Sequence, residues 1–258
     1  MTPDGAQVTP GERPDLFAEA GSARWPQTLD DETRLDWLQL IRSERVGPAT
    51  FHDLLAQFGS AKAALGALPD LGKAARGRRL KVCPRARAEA EFEAARRAGI
   101  VYVTPGEPDY PPAMRHMPSP PPLLAVLGQP AVLRRPTVAI VGPRNASALG
   151  AKFAGQIARE LSEAGLVVAS GLARGVDGAA HAGSLEGGTV ASLAGGLDRI
   201  YPPEHGDLAR RITERGALIS EMPLGHAPRA QDFPRRNRLI AGMSLGTLVV
   251  QAAMRSGS

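Results

Sequence analysis

Residues 137–193 read TVAIVGPRNASALGAKFAGQIARELSEAGLVVASGLARGVDGAAHAGSLEGGTVASL, in which short apolar runs alternate with segments of helix length. The runs are continuous rather than alternating, as in strands that are covered on both faces of a parallel sheet. Five runs follow one another to the end of the chain: Val138–Val141, Leu166–Ala169, Thr189–Leu193, Ala217–Ile219 and Thr247–Val250. The pattern predicts an α/β fold with a Rossmann-like, doubly wound parallel sheet.

The order of these five strands in the sheet decides where a ligand would bind. Right-handed crossovers favour the order 3-2-1-4-5, in which the first and fourth runs are neighbours. The crevice at their carboxyl ends is then the expected ligand site. The loops that leave this crevice begin at Gly142 and at Glu221.

The chain before this region divides into three parts by composition. Residues 1–33 are polar and hold seven acidic side chains against two basic ones, which predicts a mobile tail without a core. Apolar residues recur at helical spacing over 34–103, which predicts a small helical domain. Residues 104–136 are rich in proline but contain an apolar run at 123–127, so we expect an ordered connection that ends in a strand. Residues 137–258 form the predicted sheet domain.

Composition excludes several classes of protein. No run approaches the roughly 20 apolar residues that a membrane span needs, and the N-terminus has no signal-peptide pattern, so a cytoplasmic protein is expected. The single cysteine, Cys83, excludes an internal disulfide and a cysteine-based zinc cluster. The net charge of +5 and the pI of about 9.9 favour a polyanionic partner, with a solvated arginine-rich surface as the alternative.

The first loop of the predicted crevice, GPRNAS at 142–147, suits an anion rather than a dinucleotide. It lacks the G-x-G-x-x-G fingerprint, which argues against NAD or FAD. A helix that starts near Ser147 could hold one phosphate at its N-terminus, and Arg144 could clamp that phosphate. Asn145 lies in the same loop. The sequence therefore predicts an anion site.

The second loop, 228–238, combines four arginines with Phe233. Arginine pairs with phosphate, and a phenylalanine among arginines can stack on an unpaired base, so the loop suits a single strand better than a duplex. The alternative is that Phe233 fills the core while Arg235, Arg236 and Arg238 bond to carboxylates inside the protein.

Signals for catalysis are weak. Asp177 and His181 share a helix face, a spacing that can bind a metal or orient a base, but no third ligand follows. A helix cap and a hydrogen-bonded core histidine are the preferred explanation of the pair. There is no P-loop and no G-x-S-x-G elbow. No catalytic residue, cofactor or metal is predicted.

Five ordered blocks resemble the DNA-processing protein A (DprA/Smf) family. They are VAIVGPRNASALG at 138–150, VVASGLARGVDGAAHAGSLEGGT at 167–189, GLDRIYPPEH at 196–205, LISEMPLGHAP at 218–228 and FPRRNRLIAGMSLGTLVVQA at 233–252. The leading helices resemble that family's sterile-alpha-motif-like domain. Two positions depart from the family pattern, since Pro143 replaces a serine and Gln251 stands where glutamate is usual.

The resemblance implies a non-catalytic protein that binds single-stranded DNA, protects incoming DNA and loads a RecA-type recombinase in natural transformation. It also implies a possible homodimer. Arg144 corresponds to the arginine of the family's phosphate loop, and Phe233, Arg236, Asn237 and Arg238 belong to its arginine-rich block. With Arg174 extending the track, the candidate DNA-binding residues are Arg144, Asn145, Ser147, Arg174, Phe233, Arg235, Arg236, Asn237 and Arg238.

Two other functions compete with this interpretation. The first is a nucleoside-monophosphate N-glycosidic hydrolase of the lysine-decarboxylase-like group, whose members carry a PGGxGTxxE loop. This chain has FPRRNRLIAG at 233–242 instead, which favours the DNA binder. The second is an interaction scaffold in which the helical domain binds protein and the sheet is inert.

Overall fold

The computed structural model describes residues 28–76 and 79–251, so most of the predicted tail lies outside the described residues. The helical domain consists of α1 (Asp31–Ile41), α2 (Pro48–Phe58), α3 (Ala61–Arg76) and α4 (Arg85–Arg97). The Asp30 side chain caps α1 by accepting a hydrogen bond from the Thr33 N–H. Leu29 is already buried in the core. The predicted tail boundary at residue 33 is therefore too late.

The helical domain packs around aromatic side chains on its first two helices. Trp37 of α1 and Phe51 of α2 meet edge to face with ring centroids 5.1 Å apart, and both are buried. Leu38, Leu40 and Leu54 complete the buried face. These residues recur at helical spacing, which is why the helices could be read from the sequence.

The remaining chain forms one sheet of seven strands that is flanked by helices. The strands are β1 (Ile100–Val103), β2 (Leu124–Gly128), β3 (Thr137–Val141), β4 (Val167–Ser170), β5 (Thr189–Ser192), β6 (Ala217–Ser220) and β7 (Thr247–Val249). The helices are α5 (Ala148–Glu163), α6 (Val176–Ser184), α7 (Gly206–Arg215) and α8 (Asp232–Gly242). Strands β3 to β7 pair in parallel, which confirms the predicted α/β class.

The predicted strand order is wrong. The sheet runs β1-β2-β6-β5-β4-β3-β7, so the five parallel strands lie in the order 4-3-2-1-5 and not 3-2-1-4-5. The chain steps in one direction from β3 to β6, and only β7 returns to the other side of β3. Apolar runs show that strands are buried. They carry no information about the point at which the chain stops adding strands on one side of the first strand and moves to its other side. The switch point therefore lies between β3 and β7.

The segment between the helices and the parallel strands belongs to the sheet. Strand β1 pairs antiparallel with β2, and β2 pairs antiparallel with β6. The helical domain therefore ends before β1, and the predicted boundary at residue 103 is incorrect. Tyr110 and Met114 of the connection are buried, and the Tyr110 hydroxyl donates to the Pro121 carbonyl at 2.9 Å.

Arg34 of α1 and Arg42, the residue that caps the end of α1, join the helical domain to the sheet. Arg42 donates to the Glu91 carboxylate at 2.8 Å and to the Glu221 carbonyl at 3.1 Å. Arg34 forms an ion pair with Glu107 at 2.6 Å. Both ion pairs are largely buried. The bond from Arg42 to the Glu221 carbonyl holds the end of α1 against the loop that follows β6, and Arg34 holds its first turn against the segment after β1. No helix of the described ranges is long and apolar enough to cross a bilayer.

Candidate functional site

Helix α8 crosses the carboxyl ends of the middle strands and is anchored there by Arg236. This guanidinium donates to the carbonyl of Gly171, just beyond β4, and to the carbonyl of Ser192 at 2.7 Å, at the end of β5. A Cβ on residue 171 would overlap the guanidinium, so the glycine makes this approach possible. Arg236 is 7% exposed. Its role in the structure is to hold α8 on the sheet.

The start of α8 brings Phe233 to the loop that follows β3. The Arg144 guanidinium lies 4.7 Å from the Phe233 ring centroid, within the range of a cation–π contact. Tyr201 meets the same ring edge to face, with centroids 5.9 Å apart. Arg144 and Phe233 are therefore in contact. They meet because α8 runs back across the strand ends, and not because their parent strands are neighbours.

The crevice combines backbone, aromatic rings and arginines at the carboxyl ends of β4 and β5. Its walls are Gly171, Leu193, Ala194, Gly195, Arg199, Tyr201, Pro228, Phe233 and Arg236. Phe233 is half-buried and Tyr201 is 47% exposed, so the two rings offer aromatic surface to a ligand. Polar and aromatic groups that converge on a cleft at this end of an α/β sheet mark a binding site.

The loop between β3 and α5 carries the predicted anion site. Arg144 and Asn145 are exposed, and Arg144 forms no ion pair with any described residue. Ser147 caps α5 by accepting the Gly150 N–H at 3.0 Å. The first N–H groups of α5 have no partner within the helix, and they form the positive end of the helix dipole. The loop thus places a free guanidinium beside a helix N-terminus.

The arginines of α8 divide into inward and outward groups. Arg238 forms an ion pair with the Glu221 carboxylate and donates to the Ser119 carbonyl at 3.1 Å. Burial raises the pKa of Glu221, and the Arg238 charge opposes that shift. The alternative predicted for this loop, in which arginines bond to groups inside the protein, therefore describes Arg236 and Arg238. Arg235 and Asn237 are exposed.

Arg174 lies on the exposed loop after β4 and is paired with Glu204. The hydrogen bond that Arg174 donates to the Glu204 carboxylate raises the pKa of Arg174 and lowers the pKa of Glu204. The charge of Arg174 is therefore partly balanced. A phosphate that used Arg174 would have to compete with this carboxylate.

Asp177 and His181 are structural. The buried His181 ring accepts the Leu172 N–H at Nε2 and bonds the Thr189 hydroxyl at Nδ1, 2.8 Å away. Burial, reinforced by the Arg236 charge, lowers the pKa of His181 to about 3, so the ring is neutral. The Asp177 carboxylate accepts the Ala173 N–H at 3.3 Å. Over residues 28–76 and 79–251, no group of three or more His, Cys, Asp or Glu side chains could hold a metal ion.

Sequence reasoning assigned no role to three residues at or beside the crevice. Tyr201 and Arg199 lie in the GLDRIYPPEH block, but neither was assigned a role. The third is Asp232, which accepts the Arg229 N–H and the His226 Nε2 proton, both at 2.8 Å, and so shapes the turn into α8. The only hint of Tyr201 in the sequence was an aromatic residue next to two prolines, because Phe233, which it contacts, is distant in the chain.

The fold and the crevice define a class of protein: a Rossmann-like domain with aromatic and arginine side chains at the carboxyl ends of its middle strands. Comparison with protein families narrows this class. Residues 101–258, more than half of the chain, match the family described as DNA recombination-mediator protein A. Residues 31–94 match the DprA-like N-terminal HHH domain. The chain belongs to the DNA recombination-mediator protein A family, and the predicted resemblance is confirmed.

Relatives extend beyond the length of this chain. Protein Smf of Synechocystis sp. is 40% identical over 163 residues, which cover 61% of this chain and 41% of that protein. The structure of DNA processing protein A from Streptococcus pneumoniae matches with a TM-score of 0.70 at 27% identity, over 90% of this chain and 81% of that one. The chain therefore spans about two fifths of the Synechocystis relative that it matches.

A second solved structure resembles this chain. DNA processing protein A from Helicobacter pylori, studied for its single-stranded DNA binding mode, matches with a TM-score of 0.57 at 30% identity. The match covers 61% of this chain and 72% of that one.

Proposed function

We propose that this protein binds single-stranded DNA in the crevice between Arg144 and Phe233. The observation that carries the proposal is the contact of an otherwise unpaired guanidinium with an accessible aromatic ring, 4.7 Å apart. Arginine supplies the phosphate contact, and an aromatic face supplies stacking that does not depend on base identity. The Helicobacter pylori relative, which binds single-stranded DNA, supports the same ligand class.

Binding exchanges one contact of Arg144 for two new ones. In the free protein the Arg144 guanidinium lies over the Phe233 ring, where a base would stack. On binding, Arg144 turns to a phosphate, and a base takes its place on the ring. A charge-assisted bond to phosphate is stronger than an exposed cation–π contact, so the exchange is favourable. Duplex DNA hides its base faces and cannot complete it.

The neighbouring exposed groups of α8 extend the site. Arg235 and Asn237 are exposed on α8 and can contact the next phosphates. Arg236 and Arg238 act indirectly, because their bonds to the sheet and to Glu221 hold α8 in place. Asn145 and Ser147 contribute donors beside Arg144.

The site is suited to binding rather than to catalysis. The candidate acid–base pair is buried and used in structure, with the His181 ring neutral. Asp232, the carboxylate nearest the start of α8, is buried and held by His226 and the Arg229 N–H. A hydrolase would need a carboxylate that can reach water and the sugar. The DNA binder is therefore preferred to the N-glycosidic hydrolase.

We further propose that the bound strand is incoming DNA in natural transformation and that the protein loads a RecA-type recombinase on it in the cytoplasm. The family description as a recombination mediator supports this role. Sequence-tolerant binding suits it, since a mediator must accept any strand and then release it. A homodimer would place two crevices on one strand and raise the local concentration of sites.

Fluorescence anisotropy with labelled oligonucleotides tests the binding proposal. The protein should bind a 30-nucleotide single strand at least tenfold more tightly than the same sequence as a duplex, with an affinity that falls as salt rises. Equal affinity for both forms would overturn the proposal. Recombinase loading is tested separately, by strand exchange on DNA that is precoated with single-strand-binding protein. Addition of this protein should shorten the lag before exchange begins.

A further inference from the structure

Gln251 lies two residues after the end of β7, and its side chain contacts Ser147, the N-cap residue of α5. The Ser147 N–H donates to Gln251 Oε1 at 3.0 Å, and Gln251 Nε2 donates to Ser147 Oγ at 2.6 Å. A Cβ on residue 150 would overlap the Gln251 side chain, so Gly150 makes room for it. The glutamine thus holds Ser147 by both of its polar groups.

The orientation of this amide is fixed by chemistry. A backbone N–H can only donate, so the oxygen of the Gln251 amide must face Ser147 N, and the NH₂ group must face Oγ. The Gly150 N–H also donates to Oγ, at 3.0 Å. Ser147 Oγ therefore accepts two hydrogen bonds. No described residue accepts the hydrogen of the Ser147 hydroxyl, which leaves this hydrogen available to a ligand.

The free hydroxyl hydrogen has a clear use in this loop. Pro143, which precedes Arg144, has no N–H to offer a phosphate. Ser147 lies at the other end of the same exposed loop, beside the N-terminus of α5. A hydroxyl whose acceptor sites are both filled can act toward an anion only as a donor, which is what phosphate requires.

We propose that Gln251 is a positioning residue for the phosphate site: its amide holds Ser147 in place and leaves the Ser147 hydroxyl free to donate to a phosphate of the bound strand. This inference rests on the proposed function. A carboxylate at position 251 would behave differently. It would still accept the Ser147 N–H, but it would also take the hydroxyl hydrogen and place a negative charge beside the phosphate.

Two variants separate the holding role from the donor role. Gln251→Ala removes both bonds, whereas Gln251→Glu keeps the loop held and consumes the hydroxyl hydrogen. Gln156→Ala and Gln156→Glu are matched controls, because Gln156 is exposed on α5 and bonds only Glu160 in the next turn. Hydrogen exchange of the loop amides in the free protein and single-strand affinity at two salt concentrations are measured for all four.

The inference predicts a distinct result for each variant. Gln251→Ala should speed exchange at Ser147 and weaken binding by about tenfold, as expected for the loss of two hydrogen bonds. Gln251→Glu should leave exchange slow and weaken binding most at low salt, where the new charge is least screened. A loss of about threefold should remain at high salt, and it should disappear when Ser147→Ala is the parent. The Gln156 variants should bind within twofold of the unaltered protein.

Unchanged exchange in Gln251→Ala would overturn the holding role, and it can be seen without any DNA. Binding within twofold of the parent for Gln251→Glu at low salt would overturn the donor role. Failure of the proposed function looks different, because Arg144→Ala would then also bind as the parent does. In that case the donor role falls with it, while the exchange experiment still decides the holding role.

Discussion

The guanidinium of Arg144 lies 4.7 Å from the centre of the Phe233 ring, although the two residues come from opposite ends of the sheet domain's chain. Helix α8 makes the contact possible by running back over the ends of β5 and β4. A positively charged guanidinium and an aromatic surface are thus held side by side. Each can be removed by itself.

Arg144→Ala should weaken single-strand binding to a similar extent for all base sequences. The loss of one phosphate contact should lower the slope of log affinity against log salt by about 0.7 for a single strand. Arg159→Ala, which removes an exposed arginine of α5, is the matched control. Anisotropy titrations at four salt concentrations give the slopes. An unchanged slope for Arg144→Ala would mean that Arg144 does not contact phosphate.

Phe233→Ala should cost about 1 to 3 kcal/mol of binding free energy and leave the salt slope unchanged, because stacking releases no counterions. Phe153→Ala is the control, since that ring is 50% exposed on α5. Urea unfolding of both variants checks that the fold persists. If Phe233→Ala binds as tightly as the control, bases do not stack on this ring.

Arg235→Ala and Arg236→Ala change adjacent residues but should affect different properties: the first DNA binding, and the second the stability of the fold. Arg236→Ala leaves the Gly171 and Ser192 carbonyls without a donor and Asp177 without a nearby cation, so the free energy of unfolding should fall by about 3 kcal/mol. Arg235→Ala should change unfolding by less than about 0.5 kcal/mol and weaken DNA binding. Urea unfolding together with DNA titration distinguishes the two, and equal stability of the variants would contradict the inward assignment of Arg236.

His181 should make the protein sensitive to acid. Its pKa is about 3 in the folded protein, against about 6.5 in an unfolded chain, so between these values only the unfolded state binds the proton. Stability from this group is complete above pH 6.5 and is lost as the pH falls toward 3. From pH 7 to pH 5 the loss should be about 2 kcal/mol.

His181→Gln provides the comparison, because the glutamine amide can accept from Leu172 and donate to Thr189 but does not titrate in this range. The free energy of unfolding at pH 7 and pH 5 is measured for both proteins. The extra loss at pH 5 should be present in the unaltered protein and absent from the variant. Equal losses would assign the acid sensitivity to other groups.

Patterns of apolar residues were sufficient to predict the class of fold. The helices around Trp37 and Phe51 and the five parallel strands follow from spacing, because local burial determines both. Strand order does not follow, since it depends on which face each crossover takes and on the antiparallel strand β2 that covers the edge of β6. The position beside β6 is taken by β2, a strand of the proline-rich connection, for which the sequence predicted a strand but not its place in the sheet.

The site was predictable in part for a similar reason. Residue types predicted that Arg144 contacts a phosphate and that Phe233 stacks on a base, but they did not predict which arginines face inward. The sequence pattern does not distinguish Arg236 and Arg238 from Arg235. In the folded protein, Arg236 bonds to backbone carbonyls and Arg238 to a carboxylate, and these contacts set the two apart. Tyr201 was missed because only the folded chain brings it to Phe233.

The most direct test of the central claim is photocrosslinking of single-stranded DNA that contains 5-iododeoxyuridine, with the crosslinked peptides identified by mass spectrometry. Aromatic side chains that stack on the modified base react preferentially, so the crosslinks should fall on Phe233 and Tyr201 and should decrease strongly in Arg144→Ala. Crosslinks confined to the basic stretch from Lys73 to Arg97 in the helical domain, with none on these two rings, would contradict the account.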